Sequence, residues 1–154
     1  MVRVGVVTGE YPPLRGGIAD YTQRLVGALG DLDVVPSVLT SKRAATERQD
    51  PWVLPHVQQW DWSVWRLAAR WAHRRRWDLV HIQYQPAAYE LSASIAILPW
   101  ALHRAIPHLK VVTTFHDLRV PYLFPKAGPL RELMVRLLAY QSDAIIAVAP
   151  EDIP

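Results

Sequence analysis

The sequence has no cysteine among its 154 residues. This absence excludes disulfide bonds, thiolate zinc sites and cysteine nucleophiles. Long hydrophobic runs are missing too: no apolar stretch approaches the ~20 residues that a helix needs to cross a bilayer. The apolar segment over residues 1–8 is too short for a signal peptide. We therefore expect a cytoplasmic protein that is soluble or associated with a membrane only at its surface.

A large excess of one charge is also missing. The chain carries 17 basic and 14 acidic residues, a net charge of +3, which is too small an excess to predict nucleic-acid binding. About half of the residues are hydrophobic and a fifth are charged, as is typical of a globular protein. The length fits one domain, residues 1–154, with one substantial core.

Five short apolar, β-branched segments predict strands that are buried on both faces of a parallel sheet. Helical periodicity between them predicts four helices, and Pro99 is expected to kink or split the third. Alternating strands and helices indicate an α/β fold, a doubly wound (Rossmann-like) parallel sheet with helices on both faces. The predicted strands are Val2–Thr8, Val34–Thr40, Asp78–Tyr84, Lys110–Phe115 and Asp143–Val148, and the helices are Ile18–Leu29, Asp61–Arg75, Leu91–Ile106 and Pro129–Tyr140.

Two further expectations concern packing. The last helix carries an apolar stripe at helical spacing, which we interpret as core packing. The segment Ser41–Gln59 is polar and contains Pro51 and Pro55, so we predict a surface loop there. The stripe consists of Leu130, Leu133, Met134, Leu137 and Leu138.

The loop after the first predicted strand ends in a glycine pair, Gly16 and Gly17, just before the first helix. Glycine lets backbone approach a ligand closely, and a helix N-terminus offers free N–H groups to a phosphate or a sugar hydroxyl. The loop is neither a G-x-G-x-x-G fingerprint nor a P-loop. A glycine pair serves an ordinary turn equally well, so the sequence alone leaves both interpretations open.

Ligands of doubly wound sheets bind at the carboxyl ends of the strands, and polar residues follow two of the predicted strands. Side chains alternate along a strand, so His81 shares a face with Gln83, and we interpret His81 as a hydrogen-bonded core histidine. No carboxylate cluster or closely spaced histidine pair predicts a metal site. The candidate site residues at these strand ends are Gln83, Tyr84, Gln85, His116 and Asp117.

Four motifs, in chain order, resemble the N-terminal domain of family-4-type retaining glycosyltransferases with the GT-B fold, and the resemblance covers essentially the whole chain. It implies transfer of a sugar, of hexosyltransferase type, from a nucleotide-sugar co-substrate to a carbohydrate or lipid-linked acceptor; we expect no other cofactor, and the residue pattern predicts no metal. The motifs are Tyr11-Pro12-Pro13-x-x-Gly16-Gly17-Ile18-Ala19-x-Tyr21, Asp78-Leu79-Val80-His81-Ile82-Gln83, Thr113-Thr114-Phe115-His116-Asp117 and Ser142-Asp143-Ala144-Ile145-Ile146-Ala147-Val148.

The resemblance also implies roles for individual residues. His116 would hydrogen-bond the transferred sugar, and Asp117 would orient its loop or reach the acceptor. Gly16 and Gly17 would approach the donor closely. The residues expected to line the acceptor pocket are Asp20, Tyr21, Gln83, Tyr84 and Gln85.

Enzymes of this kind hold the donor mainly in a C-terminal domain that carries an E-x7-E pattern. No two glutamates of this chain have that spacing, so we expect the donor-binding domain to be its missing partner and the chain alone to be inactive. Two alternatives remain open: a non-catalytic binding module or subunit of the same fold, and half of a nucleotide-sugar epimerase. The glutamates are Glu10, Glu47, Glu90, Glu132 and Glu151.

The segment Trp60–Trp77 holds five of the seven tryptophans and a basic face that includes Arg66, Arg70 and Arg74. The simpler interpretation is a surface crossover helix with its basic side in water. The alternative is peripheral membrane contact, because arginines with interfacial tryptophans suit an anionic headgroup layer.

Overall fold

The computed structural model of the protein describes residues 1–48, 50–116 and 128–148. These ranges contain one sheet of parallel strands in the order β3-β2-β1-β4-β5-β6. The chain moves outward from β1 to β3, then crosses back to β4 and proceeds the other way. The order therefore reverses between β1 and β4, which is where doubly wound sheets bind ligands. The strands are β1 (Val2–Thr8), β2 (Val34–Ser41), β3 (Val53–Val57), β4 (Leu79–Tyr84), β5 (Lys110–Phe115) and β6 (Ala144–Ala147).

Four α-helices cover the two faces of this sheet, which confirms the predicted fold class. The first helix packs on one face through Val26, against Val4, Val6 and Val38 of the strands. The other three pack on the opposite face, where Ala68 contacts the core that contains the alternate strand residues. The helices are α1 (Gly17–Gly30), α2 (Ser63–Arg75), α3 (Leu98–Ala105) and α4 (Gly128–Gln141), with short 3₁₀ turns at Lys42–Ala44, Pro86–Tyr89 and Ala93–Ile97.

The predicted third helix is split, as its proline suggested. Residues Ala93–Ile97 form a 3₁₀ turn, and α3 begins at Leu98 with Pro99 in its first turn. Proline is tolerated there because the first N–H groups of a helix have no intrahelical partner.

The prediction of a surface loop over Ser41–Gln59 is wrong, because the segment contains β3. Among the strands that the structure describes, this one lies at the edge of the sheet and pairs with β2 alone. Pro55 stands inside it, paired with Thr40; an edge strand tolerates proline because the missing N–H costs no ladder bond on its open side. The strand was not predicted because it is short and because Pro51 and Pro55 are typical of a loop.

The prediction of core packing is wrong for part of α4, and the prediction of a doubly buried strand is wrong for β6. Leu138 of α4 is fully buried, but Leu130 and Leu133 are more than half exposed. All four residues of β6 are exposed as well. Within the described ranges β6 has one neighbouring strand, β5, so an apolar pattern typical of a central strand occurs here at an edge.

Candidate functional site at the carboxyl edge

The candidate site lies at the carboxyl edge of the sheet, on the face that α1 covers. It combines the loop between β1 and α1 with the ends of β4 and β5. Tyr89, in the 3₁₀ turn after β4, fixes this edge: its buried hydroxyl shares its one proton between the carbonyl oxygens of Val7 (2.9 Å) and Gln83 (2.8 Å). Burial raises the pKa of Tyr89 well above its usual 10, so the hydroxyl keeps its proton and ties β1 to β4.

His116 follows β5 directly, and three elements hold it. Its Nε2 lies 2.8 Å from Oε1 of Gln83 on β4. Its ring meets the Tyr21 ring of α1 edge to face, with the centroids 4.6 Å apart. Its backbone N–H donates to the Tyr84 carbonyl at 3.0 Å. Helix α1 and strands β4 and β5 thus meet at one histidine.

The contacts of His116 determine which ring nitrogen is free. Burial lowers the pKa of His116, so the imidazole is neutral at pH 7. With the Gln83 amide oriented so that Oε1 faces the ring, that oxygen can only accept, and Nε2 then carries the ring proton and donates it. The remaining nitrogen, Nδ1, is then a hydrogen-bond acceptor. The Nε2 amide group of Gln83 is buried and has no partner in the described part of the chain.

His81 supports this arrangement from inside the sheet. It is buried, and its Nε2 lies 2.7 Å from Oγ1 of Thr114. Burial first, and then the neighbouring His116, lower the pKa of His81 to about 4. These contacts agree with the predicted hydrogen-bonded core histidine. His81 lies two residues before Gln83 on the same strand, β4.

The N-terminus of α1 opens onto the same edge. Gly16 precedes the helix, and no side chain of the described ranges caps it, which leaves N–H groups of the first turn to solvent or a ligand. A Cβ atom at Gly17 would meet nothing within 4 Å, whereas one at Gly16 would lie 2.6 Å from Oε2 of Glu10. Asp20 is exposed in the first turn.

Next to this helix end is a cavity of about 220 Å³ that sequence reasoning missed. Charges of both signs line it, together with the buried Trp60 ring. Two carboxylates and two guanidinium groups have no net charge, and they present donors and acceptors suited to a hydroxylated ligand. Those charged residues are Glu10, Arg15, Arg43 and Glu90. The cavity could have been predicted from the positions of two of these residues in the sequence, because Glu10 follows β1 and Glu90 follows β4.

The backbone is held tightly around this cavity. A Cβ atom at Gly9 would lie 1.9 Å from the Ala88 carbonyl oxygen, so only glycine fits between β1 and the turn after β4. Glu90 and Leu91 both have left-handed φ angles, 55° and 58°, which non-glycine residues adopt at some cost.

Sequence comparison assigns the domain type. A family model described as a glycosyl transferase 4-like domain matches residues 16–152. The chain belongs to this family. No curated protein sequence matches it.

Solved structures resemble this glycosyltransferase 4-like domain in fold. An alpha-glucosyltransferase in complex with UDP aligns with a TM-score of 0.59 at 14% identity, over 96% of this chain and 35% of that one. An alpha-glucosyltransferase in complex with UDP-glucose and DNA containing an abasic site aligns with a TM-score of 0.57 at 13% identity, over 95% and 35%. The family 3 carbohydrate esterase of Clostridium thermocellum aligns with a TM-score of 0.55 at 10% identity, over 94% and 76%.

At these identities the likeness shows the fold alone, because a transferase and an esterase share it. The domain spans about a third of the length of the alpha-glucosyltransferases it resembles. The comparison of structures therefore supports the GT-B-type half-fold, and the family model separately supports membership of the glycosyltransferase family.

The predicted site residues of the glycosyltransferase 4-like domain differ in where they lie. His116 contacts both Gln83 and Tyr21, and Gly16, Gly17 and Asp20 lie at the start of the helix that carries Tyr21. Tyr84 points to the opposite face, where its ring packs against those of Tyr89 and Phe115, so it does not join them. Gln85 is half-buried before the 3₁₀ turn. Asp117 lies outside the described residues.

The described ranges also bear on metal binding and on membrane spanning. They contain no group of three histidine, aspartate or glutamate side chains that could hold a metal ion. In the same ranges, none of the helices is both long and apolar enough for a membrane span.

Proposed function

We propose that this domain is the acceptor-side half of a retaining glycosyltransferase that moves a sugar from a nucleotide-sugar to a carbohydrate or lipid-linked acceptor. The carrying observation is that His116, Gln83 and Tyr21 meet beside the uncapped end of α1, in a chain of the glycosyl transferase 4-like family. The UDP and UDP-glucose bound by the alpha-glucosyltransferases of the same fold support a nucleotide-sugar as the donor.

In this proposal His116 positions the sugar rather than acting as a base. Nδ1 of the neutral ring accepts a hydrogen bond from a sugar hydroxyl, while Gln83 and Tyr21 fix the orientation of the ring. The first-turn N–H groups beyond Gly16 and Gly17 face the charged or hydroxylated part of the donor. Rate enhancement then comes from positioning and from stabilising the leaving diphosphate. Retention rests on the resemblance to family-4-type enzymes.

The acceptor enters beside Glu10 and Glu90 in this proposal, because the 220 Å³ cavity adjoins Gly16 and is polar. Asp20 is exposed beside the same helix end, where its carboxylate can bind a sugar hydroxyl. Gln85 borders the turn that forms the cavity wall through Ala87 and Ala88.

The decisive experiment substitutes His116→Ala in the protein joined to its donor-binding domain, with UDP-glucose as the first donor tested. Loss of one hydrogen bond to the sugar should lower kcat/KM by about 10- to 100-fold, equivalent to ~1.4–2.8 kcal/mol. The matched control is His108→Ala, an exposed histidine in a turn before β5. Equal activities of the two variants would remove His116 from the site.

The domain alone should bind ligands without transferring sugar. Incubation of the 154-residue chain with radiolabelled UDP-glucose and candidate acceptors should give no product, because the donor-binding half completes the active site in this proposal. Turnover by the isolated chain would contradict it. Conversion of the nucleotide-sugar without any acceptor would favour the epimerase alternative, and binding without transfer in every context would favour a non-catalytic module.

A lipid-linked acceptor is supported by exposed tryptophans near the start of α2. Trp62 and Trp100 are each about half exposed, and Trp65 lies between them with centroid separations of 5.0 and 6.3 Å. In contrast, Trp60 and Trp77 are buried, so they cannot touch a membrane surface. Trp62→Ser with Trp100→Ser should reduce co-sedimentation with phosphatidylcholine vesicles; unchanged sedimentation would exclude this contact.

A further inference from the structure

A notch opens at the amino edge of the sheet, on the side opposite to the candidate site. Strand β2 begins at Val34, but β3 first pairs with it at Val38. The first four residues of β2 therefore extend beyond β3. Trp52 crosses the end of the notch, where its carbonyl oxygen accepts the Val38 N–H at 2.7 Å.

A groove of about 360 Å³ occupies this notch. We call it the arginine groove, because four of its nine lining residues are arginines and none is acidic. Their formal charge is +4, and the guanidinium groups come from β1 and from the end of α2. The arginines are Arg3, Arg74, Arg75 and Arg76, and the other lining residues are Val35, Pro36, Ser37, Pro51 and Trp52.

Within the described ranges none of the four guanidinium groups forms an ion pair with a carboxylate. Asp78 lies beside the groove, where its Oδ2 accepts the backbone N–H of Arg3 at 2.8 Å, and its single negative charge leaves the positive charge in excess. Neighbouring guanidinium groups repel one another, so their convergence on one groove is unfavourable unless an anion lies between them.

Two of the arginines are held in place before any ligand arrives. Nη2 of Arg75 donates to the Pro51 carbonyl at 2.9 Å. The guanidinium groups of Arg74 and Arg75 lie 5.5 and 5.7 Å from the centre of the Trp71 ring, within the range of a cation–π contact. The Trp71 ring in turn stacks on His56, with centroids 5.0 Å apart. Less conformational entropy is therefore lost when these groups bind a ligand.

Arg76 occupies a position that usually carries glycine. It ends α2 in the left-handed conformation, with φ 53° and ψ 52°. Glycine or asparagine commonly stands at such a helix end because a side chain there is strained. An arginine at this position adds a fourth charge to the groove in spite of that strain.

We propose that the arginine groove binds a phosphate group, at a site separate from the sugar-transfer site. Arginine forks match phosphate oxygens in geometry and charge, and the hydroxyl of Ser37 lies at the wall of the groove. The phosphate belongs either to a soluble phosphorylated metabolite or to a phospholipid headgroup. This inference does not depend on the proposed function, since the two sites lie at opposite ends of the strands.

The test titrates the 154-residue chain with inorganic pyrophosphate in a calorimeter at low ionic strength, where charged contacts are least screened. We expect one binding event per chain. Arg74→Gln with Arg76→Gly should weaken it by at least about tenfold, as expected for two lost charge-assisted hydrogen bonds. The matched control is Arg66→Gln with Arg70→Gln, which removes the same charge from positions of α2 that do not line the groove and should stay within about twofold.

Two further measurements separate a specific site from a folding defect and identify the source of the phosphate. Arg76→Gly alone should keep or raise the melting temperature, because it relieves the left-handed strain, and still weaken pyrophosphate binding. If the source is a lipid, adding phosphatidylglycerol to phosphatidylcholine vesicles should increase sedimentation of the wild type but not of the Arg74/Arg76 variant. Pyrophosphate binding without this phosphatidylglycerol-dependent increase indicates a soluble phosphate. Absence of pyrophosphate binding, or equal loss in both double variants, would overturn the proposal.

Discussion

The polar side chains at the two edges of this sheet differ in burial and in charge. At the carboxyl edge, Gln83 and His81 are buried; His81 is paired at 2.7 Å with Thr114 of β5, and Gln83 at 2.8 Å with His116, which directly follows β5. At the amino edge, Arg3, Arg74 and Arg76 are exposed and converge on an open groove. The carboxyl edge therefore carries histidines that burial keeps neutral, and the amino edge carries arginines that are always charged.

The difference shows how one sheet can bind two kinds of ligand, one at each edge. Neutral donors and acceptors that are fixed inside a fold discriminate hydroxyl groups by geometry. Exposed guanidinium groups attract anions over longer distances, and salt weakens that attraction. Binding at the carboxyl edge should consequently respond to pH, whereas binding at the amino edge should respond to ionic strength.

The largest expected effect is a loss of stability on acidification, caused by the buried histidines at the carboxyl edge. The pKa of His81 is about 4 in the fold against ~6.5 in an unfolded chain. Between these values the unfolded state binds more protons, so the free energy of unfolding falls as pH decreases, by roughly 3 kcal/mol from pH 7 to pH 4. The lowered pKa of His116 acts in the same direction. Urea denaturation at several pH values measures this fall.

His81→Gln should flatten that pH dependence, since glutamine keeps a polar group near Thr114 and does not titrate. His108→Gln, an exposed histidine, is the control and should preserve the slope. An equally steep fall in His81→Gln would show that another group causes the acid sensitivity.

A single methyl group should disturb the carboxyl edge more than a helix surface. In Gly9→Ala the new Cβ atom would meet the Ala88 carbonyl at 1.9 Å, and backbone cannot rotate away as a side chain can. We expect a loss of about 2 kcal/mol in the free energy of unfolding. Gly27→Ala, in α1 with nothing within 4 Å, should instead gain about 0.8 kcal/mol from helix propensity. Similar urea midpoints for the two variants would refute the close packing at Gly9.

Much of the carboxyl edge could be predicted from the sequence because its residues follow strands. Each buried strand has a clear apolar pattern, and the polar residue that ends it must lie at the edge of a parallel sheet. His116 and Gln83 were predicted in this way, and Tyr21 through the motif that begins at Tyr11. Alternation also predicted that Tyr84 would face away from Gln83, although it was still placed among the acceptor residues.

The amino edge could not be predicted, because its groove depends on register. Arg3 and Arg76 are more than seventy positions apart, and only the offset between β2 and β3 leaves space beside them. The exposure of Leu133 in α4 was missed for a related reason: periodicity tells which residues share a face, not whether a neighbour covers that face.

The smallest expected effect concerns the paired charges around Asp143, at the amino edge of the sheet. Burial raises the pKa of Asp143, but hydrogen bonds from Lys110 Nζ at 2.8 Å and from a backbone N–H at 2.9 Å outweigh it. A third contact, His103 Nε2 at 3.0 Å, helps to hold the pKa of Asp143 at about 2. The carboxylate therefore stabilises the fold above pH ~4, and this contribution is lost as pH falls through about 2.

Asp143→Asn should lower the free energy of unfolding by about 1 kcal/mol at pH 7, since solvent screens the pair, and the difference from wild type should shrink as pH approaches 2. A double-mutant cycle with Lys110→Gln isolates the ion pair; a coupling energy that stays constant down to pH 2 would contradict the assignment to Asp143, and one near zero at pH 7 would mean that the paired charges contribute no more to stability than unpaired ones.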